Sequence, residues 1–189
     1  MTGSETGSGG PFAFLSRRRF LKLALGLAAV PVAGVGGVVA LRGSAPSIAG
    51  LRMLSDHEFA TLTALVTTQL PAGGPWPEGA DGEAIARAFD GFIADEPDHI
   101  ATDLKRALTL VELGPVIFDR KLVTFSNLSE ADRLTHWQAW ITSDTLLRRQ
   151  VAIAFRKFIS LVYFDQPTVW PHIGYPGPFL VRGYGVQGG

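Results

Sequence analysis

The sequence predicts an all-α protein: a compact bundle of about five helices, preceded by a signal segment and followed by an extended Pro/Gly/aromatic C-terminal tail. Three observations carry this expectation. Between positions 55 and 164 the apolar residues recur at helical spacing, three or four apart. No run of five or more residues alternates apolar with polar, as a half-buried strand would. Cap residues and Gly/Pro breaks cut the periodic stretch into five pieces.

The first piece opens at Ser55-Asp56-His57-Glu58, a capping box with Ser at N-cap and Glu at N3. Phe59, Leu62, Leu65, Val66 and Leu70 follow on one stripe, and the segment from Pro71 to Pro77 breaks the helix. Asp81 caps a second helix carrying Ile85, Ala88, Phe89, Phe92 and Ile93. The third starts after Asp95-Glu96-Pro97, buries Ile100, Leu104, Ala107, Leu108 and Val111, and ends or kinks at Gly114-Pro115. Ser129 opens a fourth, with Leu134, Trp137, Trp140 and Ile141 on one side. Ser143-Asp144 caps a fifth, whose stripe is Leu147, Val151, Ala154, Phe155, Phe158, Leu161 and Val162. The resulting division is 1–49 signal segment, 50–164 helical domain and 165–189 tail.

Residues 16–22 read Ser-Arg-Arg-Arg-Phe-Leu-Lys. Ser16, Arg17, Arg18, Phe20, Leu21 and Lys22 satisfy the twin-arginine export pattern of Ser/Thr, two arginines, any residue, Phe, Leu and Lys. An uncharged apolar run, residues 23–41, follows and is diluted by Gly26, Gly34, Gly36, Gly37 and Pro31. The expectation is therefore export through the twin-arginine translocase to the periplasm, or to the periplasmic face of the inner membrane. Ser47-Ile48-Ala49 before Gly50 is a small-x-small junction suited to a signal peptidase, whereas Ala45 precedes Pro46, which disfavours cutting. Left uncut, residues 23–41 could just span a bilayer core of about 30 Å.

The zero net charge conceals an asymmetry. Residues 1–50 hold five basic residues and one acidic; the remainder holds 12 basic and 16 acidic. An acidic folded part argues against nucleic acid as a partner, because phosphates need a basic face. The absence of cysteine excludes a covalently attached c-type haem and a cysteine-ligated iron–sulfur cluster in this chain.

Motifs for chemistry are few. Gly183-Tyr184-Gly185-Val186-Gln187-Gly188 fits GxGxxG, but the dinucleotide fingerprint requires a following helix, and only Gly189 remains. His57 and His99 fall in first helical turns among acids, His136 lies beside Trp137, and His172 sits in the tail; none has a metal-ligand spacing. No GxSxG elbow occurs. Asp95, Glu96 and Asp98 cluster where a helix dipole favours carboxylates. Arg148, Arg149, Arg156 and Lys157 read as the wet face of the fifth helix, with Arg149 close enough to the stripe for a buried or intersubunit ion pair. No catalytic, cofactor-binding or metal-binding set is predicted. The tail is apolar and aromatic, and such residues anchor interfaces. It either folds back over its own helices or docks on a partner, with Trp170, Ile173, Tyr175 and Phe179 as candidate interface residues and Trp137 and Trp140 as core.

These stretches resemble the small (gamma) subunit of membrane-bound, FAD-dependent sugar and sugar-acid dehydrogenases, the gluconate 2-dehydrogenase subunit 3 family. The resemblance runs from Leu54-Ser55-Asp56-His57-Glu58 through Trp137, Trp140 and Arg148-Arg149-Gln150. It is most specific in Asp165-Gln166-Pro167, Trp170, Ile173-Gly174-Tyr175 and Pro176-Gly177-Pro178. It implies a non-catalytic subunit that stabilises a large flavoprotein dehydrogenase of the glucose–methanol–choline type and escorts it through twin-arginine export. FAD would sit in that partner, and a multihaem cytochrome c subunit would often take the electrons. Two other classes fit the residues: a stand-alone periplasmic enzyme, and a scaffold tethered to the membrane by residues 23–41.

Overall fold

The computed structural model describes residues 43–72 and 80–177. Five α-helices fill most of this span: α1 Asp56–Gln69, α2 Gly82–Ala94, α3 Asp98–Asp119, α4 Glu130–Ile141 and α5 Leu146–Phe164. Two 3-10 turns, Phe125–Asn127 and Trp170–Ile173, complete the order, and no strand occurs among the described residues. The all-α expectation and the helix count hold.

The starts follow from their caps. Ser55 and Glu58 close both halves of the capping box on α1. The Asp81 carboxylate accepts from the Ala84 amide, and Ser129 Oγ accepts from the Asp132 amide. At α5 the start is displaced by two residues from the Ser143-Asp144 expectation. Thr145 is the N-cap and makes no side-chain cap, while Ser143 Oγ accepts from the Thr145 amide.

α1 is the centre of the bundle, touching α2, α3, α4 and the first 3-10 turn. Its buried residues Phe59, Thr61, Leu62, Ala64, Leu65 and Val66 surround much of its circumference, as a helix packed on several sides requires. α5 closes the bundle against α2 and α4. Phe89 of α2 stacks on Phe155 at 6.3 Å and meets Phe158 edge-on at 6.1 Å, joining these two helices through aromatic packing.

Two expectations for buried faces need correction. On α4, Trp137 and Trp140 are core as expected, but Leu134 and Ile141 are exposed and His136 is buried instead. On α5, Leu161 is 56 % exposed, and Ile159 takes the core position. Apolar residues cover more of α5 than one packed face can use, so spacing alone does not say which belong inside.

The Gly114-Pro115 break also differs. α3 runs through it to Asp119. Arg120 then ends the helix in the left-handed region, at φ 55°, and the Lys121 amide donates to the Pro115 carbonyl. Gly114 instead leaves room on α3 for two rings of α4. A Cβ there would lie 2.7 Å from His136 Nε2 and 2.8 Å from Trp140 Cζ2.

Two buried carboxylates tie distant segments together. Glu112 of α3 accepts from Thr61 Oγ1 of α1 (3.0 Å), the Ser126 amide (3.0 Å) and Ser126 Oγ (2.7 Å). Asp90 of α2 accepts from the amides of Arg52 (2.6 Å), Met53 (3.0 Å) and Leu54 (2.7 Å). The segment before α1 is thereby held against α2, while Ile48, Leu51 and Met53 pack on the core.

Candidate functional site: an apolar groove along the last helix

The export-signal residues Ser16, Arg17, Arg18, Phe20, Leu21 and Lys22 lie outside the described residues, as do Phe179, the glycine-rich motif at 183–188 and most of the Pro71–Pro77 segment. Trp170, Ile173 and Tyr175 are described, and the structure brings Trp170 and Tyr175 into one place.

The start of the tail is not extended throughout. Gln166 Nε2 donates to the Val162 carbonyl, and Val169 is buried in the core. The chain then turns through Trp170–Ile173 and is capped by Gly174 at φ 67°. The Trp170 indole N–H donates to the Phe164 carbonyl at 2.9 Å, one of the acceptors left open at the end of α5. Tyr175 meets the Trp170 ring edge-on at 5.5 Å, and its amide donates to the Trp170 carbonyl at 2.9 Å. The turn residues and glycine of the motif thus fold an apolar stretch into a ledge beside α5.

Between that ledge and α5 runs an open groove of about 760 Å³. Ile153, Leu161 and Phe164 of α5 supply its apolar floor, Trp170 and Tyr175 its wall, and Arg156, Lys157, Ser160 and Asp165 its polar rim. The floor is wet: Ile153 is 48 % exposed and Phe164 47 %. Leu146 and Ile173 add exposed apolar surface on the same helix and the same turn. Single exposed leucines are ordinary, but an apolar strip joined to an aromatic ledge is the form of a docking surface. Neither Arg156 nor Lys157 makes a salt bridge among the described residues, so the rim presents two cations against the single carboxylate of Asp165. Trp170 and Tyr175, singled out in the sequence as candidate interface residues, both line the groove. The α5 contribution was not legible there, because Leu161 fits the helical core spacing.

A second polar cluster lies where α3, α4 and α5 meet. His136 Nδ1 pairs with the Asp119 carboxylate, and its Nε2 faces the Trp140 indole nitrogen at 2.9 Å. Indole N–H only donates, so Nε2 must accept and the ring proton sits on Nδ1. Both ring nitrogens are occupied, which leaves none for a substrate. The Arg148 guanidinium lies over the Phe118 ring at 4.7 Å and the Trp140 ring at 5.5 Å. Its buried Nε and Nη2 have no hydrogen-bond acceptor among the described residues, a loss partly offset by the two ring faces. The position next to the stripe that enters the interior is therefore Arg148. Arg149 instead donates to the Ser143 carbonyl.

Burial pushes the His136 pKa below its ordinary value of 6.5, with Asp119 working against this and the Arg148 and Lys121 cations adding to it. An unfolded chain therefore takes up this proton first. Stability from His136 should be fully present above about pH 6.5 and lost as pH falls through the folded value. Urea midpoints measured from pH 7.5 to 5.5 should fall in the wild type and stay flatter in His136→Gln; parallel curves would show that another group is responsible.

No group of three His, Cys, Asp or Glu side chains is placed to hold a metal ion among the described residues, and no described helix is long and apolar enough to cross a membrane. Neither a family model, nor a curated protein, nor a solved structure matches the chain.

Proposed function

We propose that this chain is a non-catalytic accessory subunit that binds and stabilises a large FAD-dependent dehydrogenase of the glucose–methanol–choline type and escorts it through twin-arginine export. The observation that carries the reading is the groove on α5, an exposed apolar strip walled by the Trp170–Tyr175 ledge. The leader sequence supports it from the other end of the chain. The twin-arginine route carries folded proteins, and a partner that loads FAD before export supplies a reason for it. The fit is to one kind of surface: an apolar ridge on the flavoprotein flanked by carboxylates that meet Arg156 and Lys157. A multihaem cytochrome c subunit would complete the electron path, outside this chain.

Two sets of variants test the reading. Arg17→Lys with Arg18→Lys, co-expressed with the flavoprotein, should leave both subunits in the cytoplasm. A flavoprotein that still reaches the periplasm ends the escort role. Leu161→Asp with Phe164→Ser removes two apolar side chains from the groove, each contributing about 1.5–3 kcal/mol when buried. Affinity for the flavoprotein should fall at least 100-fold with the urea midpoint unchanged, since both side chains are exposed in the free chain. Affinity within threefold of wild type removes the groove as the docking surface, and turnover by the purified chain alone would replace the accessory role with an enzymatic one.

A further inference from the structure

We propose that the Ala49–Gly50 bond is not a processing site: any cut of the leader falls N-terminal to Ile48, and residues 48–54 stay in the finished protein as a strap over the helical domain. This rests on the export reading. By residue type alone Ser47-Ile48-Ala49 is an acceptable junction. Its conformation is not. A peptidase reads such residues from an extended backbone laid along its own strand. Here the backbone polar groups before the bond are already engaged by the domain, and the residue after it is turned out of an extended strand.

On the N-terminal side, the Ile48 amide donates to Asp56 Oδ1 at 2.9 Å, so the first helix of the domain grips this residue. The carbonyl of the bond itself, Ala49 O, accepts from Arg87 Nη1 at 3.0 Å. Arg87 is fixed in turn by Glu83 at 3.0 Å and lies over the Phe59 ring at 5.6 Å. On the C-terminal side, Gly50 takes φ 82°, a left-handed turn rather than an extended strand. Two residues on, the amides of Arg52, Met53 and Leu54 enter the buried Asp90 carboxylate. Lys105 Nζ holds the Met53 carbonyl at 2.9 Å. Ala49 and Gly50 are themselves exposed, so the protection is conformational. To present the bond, the strap must peel away from α1 and α2.

A twin-arginine substrate is folded before it meets the peptidase, so the folded conformation governs the cut. Just upstream, small-x-small junctions also follow Ala45 and Ser47, and Pro46 disfavours the first. Both precede the strap.

The full chain, purified from the cytoplasm and incubated with detergent-solubilised signal peptidase, tests this without depending on export. Wild type should yield no product beginning at Gly50, while Arg87→Ala with Asp90→Asn should yield it at least 100-fold faster. Equal rates, or no Gly50 product from the loosened variant, overturn the role of the strap. Hydrogen exchange keeps the test independent of that variant's folding. In wild type the Met53 and Leu54 amides should exchange at least 100-fold more slowly than in an unstructured peptide, and peptide-like exchange overturns the proposal. Intact mass of the chain recovered from the periplasm gives the cellular answer: a first residue at or before Ile48 supports the retained strap, and Ala49 or later overturns it. Failure to find the chain in the periplasm counts against export alone.

Discussion

Replacing Asp90 by alanine is expected to lower the unfolding free energy by about 3–5 kcal/mol, which would consume much of the stability of a domain this size. The carboxylate is buried, and it accepts from three consecutive amides at 2.6–3.0 Å. Hydrogen bonds to a charged acceptor contribute about 1.5–3 kcal/mol each, and an amide left unpaired inside the protein costs about 1–3 kcal/mol. The Leu54 amide is the one most deeply enclosed, so it carries most of the second cost. Asp90→Asn should fall between wild type and alanine. Its amide oxygen can still accept from Met53 and Leu54, but its NH2 group faces the Arg52 N–H, donor against donor. Urea denaturation of the three proteins reads this ordering directly. A change below about 1 kcal/mol for alanine would mean that water replaces the carboxylate at the strap. The exposed Arg52–Asp95 pair beside it is a useful control, since solvent screening leaves such pairs little to contribute.

Asp90 also shows where the sequence stops being informative. The capping residues Ser55, Asp81 and Ser129 were legible because a cap acts on amides two or three residues away. Asp90 acts on amides 36 to 38 residues away, and Glu112 reaches Thr61 across 51. Nothing local distinguishes either acid from a solvated one on a helix. The helical core was legible from spacing on α2 and α3, whose apolar residues form stripes; on α1 spacing found Phe59, Leu62, Leu65 and Val66 but not the buried Thr61 and Ala64. On α5 the core was not legible. Ile153, Leu161 and Phe164 share the apolar character of Val151, Phe155 and Ile159, and only packing against α2 and α4 decides which set is inside. That surplus of apolar residues is itself the signal for the groove: a helix that closes one core has no use for a second apolar face. The aromatic tail stood out in the sequence because Trp and Tyr lie among turn formers. Its folded start required Val169 to be seen in the core and the Trp170 indole on the last turn of α5.

Gly114→Ala is expected to destabilise the fold by about 2–4 kcal/mol, although alanine in the middle of a helix normally gains up to about 1 kcal/mol over glycine. The opposing terms can be compared. The added methyl would sit 2.7 Å from His136 Nε2 and 2.8 Å from Trp140 Cζ2, inside the contact distance of both rings. Neither ring is free to retreat. His136 is pinned by Asp119 on its far side, and Trp140 is fully buried and packed against Phe118 at 5.5 Å and Trp137 at 5.8 Å. Relief therefore requires α3 and α4 to separate or the 2.9 Å bond between the two rings to break. The first opens the packing of Phe118 against Trp140 and strains the His136–Asp119 pair; the second leaves a donor and an acceptor unpaired inside the protein, at about 1–3 kcal/mol. Either exceeds the gain in helix propensity. The same geometry predicts compensation. Trp140→Phe removes the indole carbon nearest the new methyl together with the N–H, and is itself destabilising because His136 Nε2 loses its donor. With room made in this way, adding Gly114→Ala should cost at least about 1 kcal/mol less than it does in the wild type. Four urea curves complete the cycle. Strict additivity would show that the methyl is accommodated by a shift of the α3 backbone rather than resisted by the two rings, and would move the origin of the glycine requirement from side-chain contact to helix geometry.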